Sequence, residues 1–138
     1  MKETVLLVDD EEGIRNVLSI SLADAGYEVH TAESAVKALE IFRELSPAIV
    51  LADIKMPGVD GMELLRKVKE ERHDTEVIMI TGYGDLDLAA RSKELEATDF
   101  VTKPISQEAL EIALERAQER IRARQRDKAG SGTPGSVQ

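Results

Sequence analysis

A chain of 138 residues has the size of one ordinary domain with a substantial core. It contains no cysteine, which excludes disulfides and thiolate metal sites, and no apolar run approaches the roughly 20 residues that cross a bilayer. The net charge of −9 is uneven, with 12 basic and 24 acidic side chains in residues 1–114 against 6 and 3 in residues 115–138, so the acidic body is a poor surface for nucleic acid phosphates. The opening MKETVLLVDDEE lacks the long apolar core of a signal peptide. The expectation is a soluble, cytoplasmic chain with no direct contact to nucleic acid or membrane.

Strand and helix patterns alternate along the chain, the sign of βαβ units and a parallel sheet. The first run, VLLV at 5–8, is continuously apolar, as a strand covered on both faces should be, and it ends in Asp9 and Asp10. Ile14, Val17, Leu18 and Leu22 follow at helical spacing and predict a packing face. YEVHTA, 27–32, alternates and reads as an edge strand; Ala35, Ala38, Leu39, Phe42 and Leu45 then form the next helical face. AIVLA at 48–52 drives a buried strand into Asp53, and the chain turns at once through Pro57, Gly58 and Gly61. Leu64, Leu65 and Val68 give a third helix, and VIMI at 77–80 a third buried strand that ends in Thr81. Residues 85 to about 94 predict a weak, mobile fourth helix in which small residues dominate. ATDFVTK forms the last strand and ends in Lys103. The final helix opens at Ser106, a good N-cap just after Pro104, and runs to about Lys128, a length of about 35 Å whose last turns overhang the domain. Residues 129–138, AGSGTPGSVQ, cannot pack a core and read as a flexible linker or tail.

In an open parallel sheet, ligands bind outside the carboxyl ends of the strands. Asp9, Asp10, Asp53, Thr81 and Lys103 should therefore share one site although they are far apart in sequence. A carboxylate that attacks a phosphoryl group meets an anion, so such sites recruit a divalent cation and a basic side chain. The three acids are balanced by Lys103 only when a dication is added, and oxygen donors of this kind suit Mg²⁺.

These residues give the chain its resemblance to the receiver domain of two-component response regulators. The match lies in DD at 9 and 10, D-x-x-M-P-x-x-D-G from Asp53 to Gly61, ITG at 80–82, and D-F-x-x-K-P from Asp99 to Pro104, and it covers residues 3 to about 120. The resemblance implies a flavodoxin-like, doubly wound α/β fold: a five-stranded parallel sheet in the order 2-1-3-4-5 with helices on both faces. It implies a phosphoacceptor signalling domain that catalyses only its own phosphoryl transfer and slow autodephosphorylation. Asp53 takes the phosphoryl group of a sensor histidine kinase or phosphotransfer protein. Asp10, Asp53 and the backbone carbonyl of Lys55 ligate Mg²⁺, with Asp9 acting through water. Thr81 and Lys103 contact the phosphoryl oxygens, and Thr81 and Phe100 form the switch, read out on the fourth helix, fifth strand and fifth helix. Lys55 and Tyr83 tune the lifetime of the acyl phosphate, and the Lys103–Pro104 peptide is cis. The receiver occupies residues 3–120, with 121–128 the extended end of the last helix, and an output domain beyond is an open possibility.

Two other classes compete. A phosphorylation-independent binding module is disfavoured because every residue of the phosphoacceptor set is present. A haloacid-dehalogenase-like phosphatase would carry a second Asp two residues after the nucleophile, where this chain has Lys55. The family's Gly-Ala before the fifth strand is Glu96-Ala97, which puts the local turn in question. His30 and His73 read as surface residues. The basic stretch 120–128 has two readings: cations that complement the helix C-terminus, or, with Leu110, Leu114, Ala117 and Ile121 stepping by four, three and four, a short coiled-coil seam toward a partner helix or a second copy of the chain.

Overall fold

The computed structural model describes residues 3–56, 60–82 and 86–131. Five strands alternate with five helices: β1 (Thr4–Val8), α1 (Glu12–Asp24), β2 (Glu28–Ala32), α2 (Ala35–Leu45), β3 (Ile49–Asp53), α3 (Gly61–Glu71), β4 (Glu76–Thr81), α4 (Leu86–Glu94), β5 (Asp99–Thr102) and α5 (Gln107–Ser131). All pairings are parallel and the order is β2-β1-β3-β4-β5, the flavodoxin-like arrangement expected, with YEVHTA at an edge.

Strand periodicity divides the core in two. Val5, Leu7, Ile49, Leu51, Ile78 and Ile80 face α1 and α5, whereas Leu6, Val8, Val50, Ala52, Val77 and Met79 face α2 and α3. Both sets are buried, which is why these strands read as unbroken apolar runs. Each large aliphatic side chain so enclosed contributes about 1.5–3 kcal/mol. Helix starts follow local chemistry: Ser34 accepts from Lys37 N at 3.2 Å, Asp60 from Glu63 N at 3.0 Å and Ser106 from Ala109 N at 3.0 Å. Among the described residues no helix is long and apolar enough to cross a membrane.

Several expectations need correction. On α1, Leu18 and Leu22 are buried but Val17 is 67% exposed, because the stripe that meets the sheet is narrower than the one its apolar residues define. Leu45, at the end of α2, is likewise exposed. The last helix continues to Ser131, three residues into the segment read as a tail, and residues 132–138 lie outside the described ones. Its expected partner seam is internal: Leu110, Leu114, Ala117 and Ile121 are all buried in the core, where α5 packs on β4 and β5. The helix packs on the domain as far as Ile121, and its last turns run on beyond that apolar contact. Glu96 adopts φ 70°, the left-handed conformation that favours glycine, so the turn before β5 holds a strained residue where the family has glycine. Its carboxylate meets His73 Nε2 at 2.9 Å on the surface, and His30 pairs similarly with Glu28 at 2.8 Å.

Candidate functional site

The carboxyl ends of β1, β3, β4 and β5 converge, and the side chains there assemble around Asp53. Asp53 is the last residue of β3 and is buried; Oδ1 accepts the Lys55 backbone N–H at 3.1 Å and Oδ2 accepts Lys103 Nζ at 2.8 Å. The carboxylate is thus held from both sides, by a backbone donor and a cation.

Asp9 follows β1 and is fully buried. Its Oδ1 accepts the Glu11 N–H at 2.9 Å, and its carbonyl accepts Arg15 Nη1 at 2.8 Å. Oδ2 has no hydrogen-bond partner and lies 3.8 Å from Lys103 Nζ. Burial is the main reason the Asp9 carboxyl is pushed above the usual range; the Glu11 N–H opposes this, Asp53 adds to it, and Lys103 pulls the other way. Asp10 is exposed beside it, and Asp9, Asp10, Glu11 and Asp53 each offer an oxygen within 4.8 Å of the others.

Lys103 stands directly after β5, its N–H donating to the Thr81 carbonyl at 2.8 Å and its peptide to Pro104 cis. Its ammonium reaches Glu11 Oε1 at 3.3 Å as well as Asp53. Partial burial works against its charge, but the hydrogen bond to Asp53 and the surrounding acids prevail and raise its pKa. Thr81 ends β4 buried, with Oγ1 3.4 Å from the Val101 carbonyl. Phe100, on β5, is half-buried and packs against the α2–α3 side of the core. Lys55 is exposed two residues beyond Asp53. Tyr83, the other residue expected to tune the site, lies outside the described residues, as do Pro57 and Gly58.

Glu11 and Arg15 were not foreseen. The run DDEE signalled the first, since an acid right after two ligand-bearing acids cannot avoid their neighbourhood; nothing in the sequence pointed Arg15 at a backbone carbonyl. A buried carboxylate oxygen without a partner, inside a cluster of hard oxygen donors, is the environment in which a small divalent cation fits. Without a metal, the same crowding is costly.

Gly61 completes the geometry from below. It begins α3, and its N–H donates to the Ile54 carbonyl at 2.8 Å. A Cβ there would stand 2.7 Å from Ile54 Cα and 2.8 Å from the Asp53 carbonyl carbon. Only glycine lets the helix come this close to the strand end.

Residues 5–115 match the family model described as the response regulator receiver domain. The chain is 37% identical over 116 residues to sporulation initiation phosphotransferase F of Bacillus subtilis, covering 84% of this chain and 94% of that protein. It is 42% identical over 115 residues to the C4-dicarboxylate transport transcriptional regulatory protein DctD of Pseudomonas aeruginosa, covering 83% of this chain and 25% of that one. Among solved structures, a response regulator receiver domain protein of Clostridium thermocellum superposes with a TM-score of 0.84 at 35% identity, covering 88% of this chain and 98% of that one. Other curated relatives are longer, the matched stretch amounting to between 24% and 57% of their length.

Proposed function

The chain belongs to the response regulator receiver family, a family of phosphorelay signalling domains, and on that premise we propose that Asp53 is its phosphoacceptor. The observation that carries the reading is the position of the Asp53 carboxylate, 2.8 Å from Lys103 and within a four-acid cluster. In the reaction an Asp53 oxygen attacks phosphorus, the bond from phosphorus to a donor histidine nitrogen breaks, and an acyl phosphate forms on Asp53. Lys103 then moves from the carboxylate to a phosphoryl oxygen, and the Thr81 hydroxyl turns from the Val101 carbonyl to another. Asp10, Asp53 and the Lys55 carbonyl would hold Mg²⁺, with Asp9 behind water. Bound there, the ion would neutralise charge that builds on the transferring group. Glu11 extends the acidic rim and keeps Lys103 over the site.

Thr81 and Phe100 sit on neighbouring strands, so movement of the hydroxyl toward a phosphoryl group frees space for the ring to turn inward and alters the α4–β5–α5 surface. A sensor histidine kinase or phosphotransfer protein supplies the phosphoryl group. The altered surface acts on a partner, a second copy or an output domain, of which the longer relatives are precedents. Residues 3–120 form the receiver unit, and its only catalysis is its own phosphorylation and slow dephosphorylation, the latter tuned by Lys55 and Tyr83.

Intact-mass measurement after treatment with acetyl phosphate and Mg²⁺ tests this. One added phosphoryl group is expected, abolished in Asp53→Asn and on chelation; equal labelling of Asp53→Asn would refute the assignment.

A further inference from the structure

Glu76 opens β4 at the end of the sheet away from Asp53, and its carboxylate is fully buried. Thr98 Oγ1 donates to Oε1 at 2.6 Å and Arg120 Nε donates to the same oxygen at 2.7 Å. Arg124 Nη1 forms an ion pair with Oε2 at 2.5 Å, an oxygen that accepts no hydrogen bond from the described residues, while its Nη2 donates to the Asp74 carbonyl at 2.7 Å. Arg120 and Arg124, four residues apart, thus project from one face of α5 onto one interior acid.

Such a charge is not required for stability, since well-packed apolar groups in place of a buried ion pair are commonly as good or better. What it supplies is direction, because a carboxylate accepts only donors placed correctly around it. Among the described side chains the buried apolar residues of α5 end at Ile121, and Arg122, Gln125, Arg126 and Asp127 are exposed. A helix end with no packed face frays, yet α5 continues to Ser131. We infer that Glu76 is an anchor which, through Arg120 and Arg124, holds α5 helical and in a fixed direction beyond the core. Residues 122–131 are then a rigid lever, rather than a tether, for the chain that follows. The lever is fastened to the strands that carry Thr81 and Phe100, and Thr98, two residues before Phe100, is itself part of the anchor. The inference requires nothing of Asp53 and stands apart from the phosphoacceptor reading.

Amide hydrogen exchange on the full chain tests it. In Arg124→Ala, amides of residues 122–131 are expected to exchange about tenfold faster or more, with β4 and β5 unchanged, a local opening rather than a global one. Alanine is the better helix former, so intrinsic propensity acts against this result and does not explain it. Glu76→Gln is expected to give the same pattern more strongly. Should Glu76→Gln not fold, Arg124→Ala decides alone, because Arg124 is 32% exposed and its loss leaves Thr98 and Arg120 on the carboxylate. Unchanged exchange in residues 122–131, or acceleration spread evenly over the strands, would overturn the inference.

Discussion

Replacing Gly61 by alanine should damage stability and phosphorylation together. The added Cβ would stand 2.7 Å from Ile54 Cα, about 0.7 Å short of ordinary contact, and the Asp53 backbone crowds it further. Backbone atoms cannot rotate out of the way, so α3 must lift from β3 or the end of β3 must bend. Overpacking of this kind costs about 1–3 kcal/mol, and the rigidity of both partners puts Gly61→Ala at the upper end. The atoms that must shift belong to Asp53 itself, and misplacing a reacting group by ~1 Å can slow its chemistry by about 10²-fold. Urea unfolding followed by circular dichroism reads the first effect, and the rate of mass gain with acetyl phosphate and Mg²⁺ reads the second. Gly13→Ala is the control: no atom lies within 4 Å of a Cβ at Gly13, so this helical position should gain about 0.5–1 kcal/mol. A Gly61→Ala protein within about 0.5 kcal/mol of the parent that labels at the parental rate would show that the close approach does not position Asp53.

Asp9 yields a pH prediction. Its carboxyl, raised chiefly by burial, holds its proton to higher pH folded than unfolded, so in metal-free protein stability is greatest below the unfolded carboxylate range and falls as pH rises through the folded pKa. Asp9→Asn should remove that fall and gain about 0.5–2 kcal/mol at neutral pH while weakening Mg²⁺ binding; an unaltered pH slope in urea titrations would count against it. Ile121→Ala should cost about 2–5 kcal/mol with a thermal midpoint independent of protein concentration, because Ile121 is core. A midpoint that rises with concentration in the parent and not in the variant would restore the seam reading. Ser34→Ala, which removes the cap on Lys37 N, should cost about 1 kcal/mol in urea and leave the labelling of Asp53 intact; a loss of labelling beyond that due to unfolding would contradict the separation of this helix start from the site.

The site was legible because parallel sheets bring strand ends together, so a polar residue ending each apolar run locates itself. Asp53 and Lys103, 50 residues apart, could be paired before any coordinates. Helix faces were less legible, since periodicity tells which residues share a side of a helix and not what covers them. Val17 fits the α1 pattern and faces outward, while Ile121 fits a partner seam and faces inward. Glu76 was invisible for a related reason. An acid at the start of a strand looks like a solvated boundary residue, and only the path of α5 brings Arg120, 44 residues later, against it. The same contact accounts for Arg120 and Arg124 in the basic stretch at 120–128, while Arg122 and Arg126 pair with Glu119.

β4 is apolar through Val77, Ile78, Met79 and Ile80 and polar at its two ends, with all six residues buried. Because both faces of such a strand are covered, a slip of two residues merely exchanges one aliphatic for another in its middle. Here a slip in one direction would carry the Glu76 carboxylate among hydrocarbons and away from Arg120 and Arg124; in the other it would withdraw Thr81 from Val101 and Lys103. The strand behaves like a bolt with a head at each end. The register of β4 is thus discriminated at its ends rather than in its middle, and the spacing that delivers a hydroxyl to the site is the same spacing that seats Glu76 on its partners.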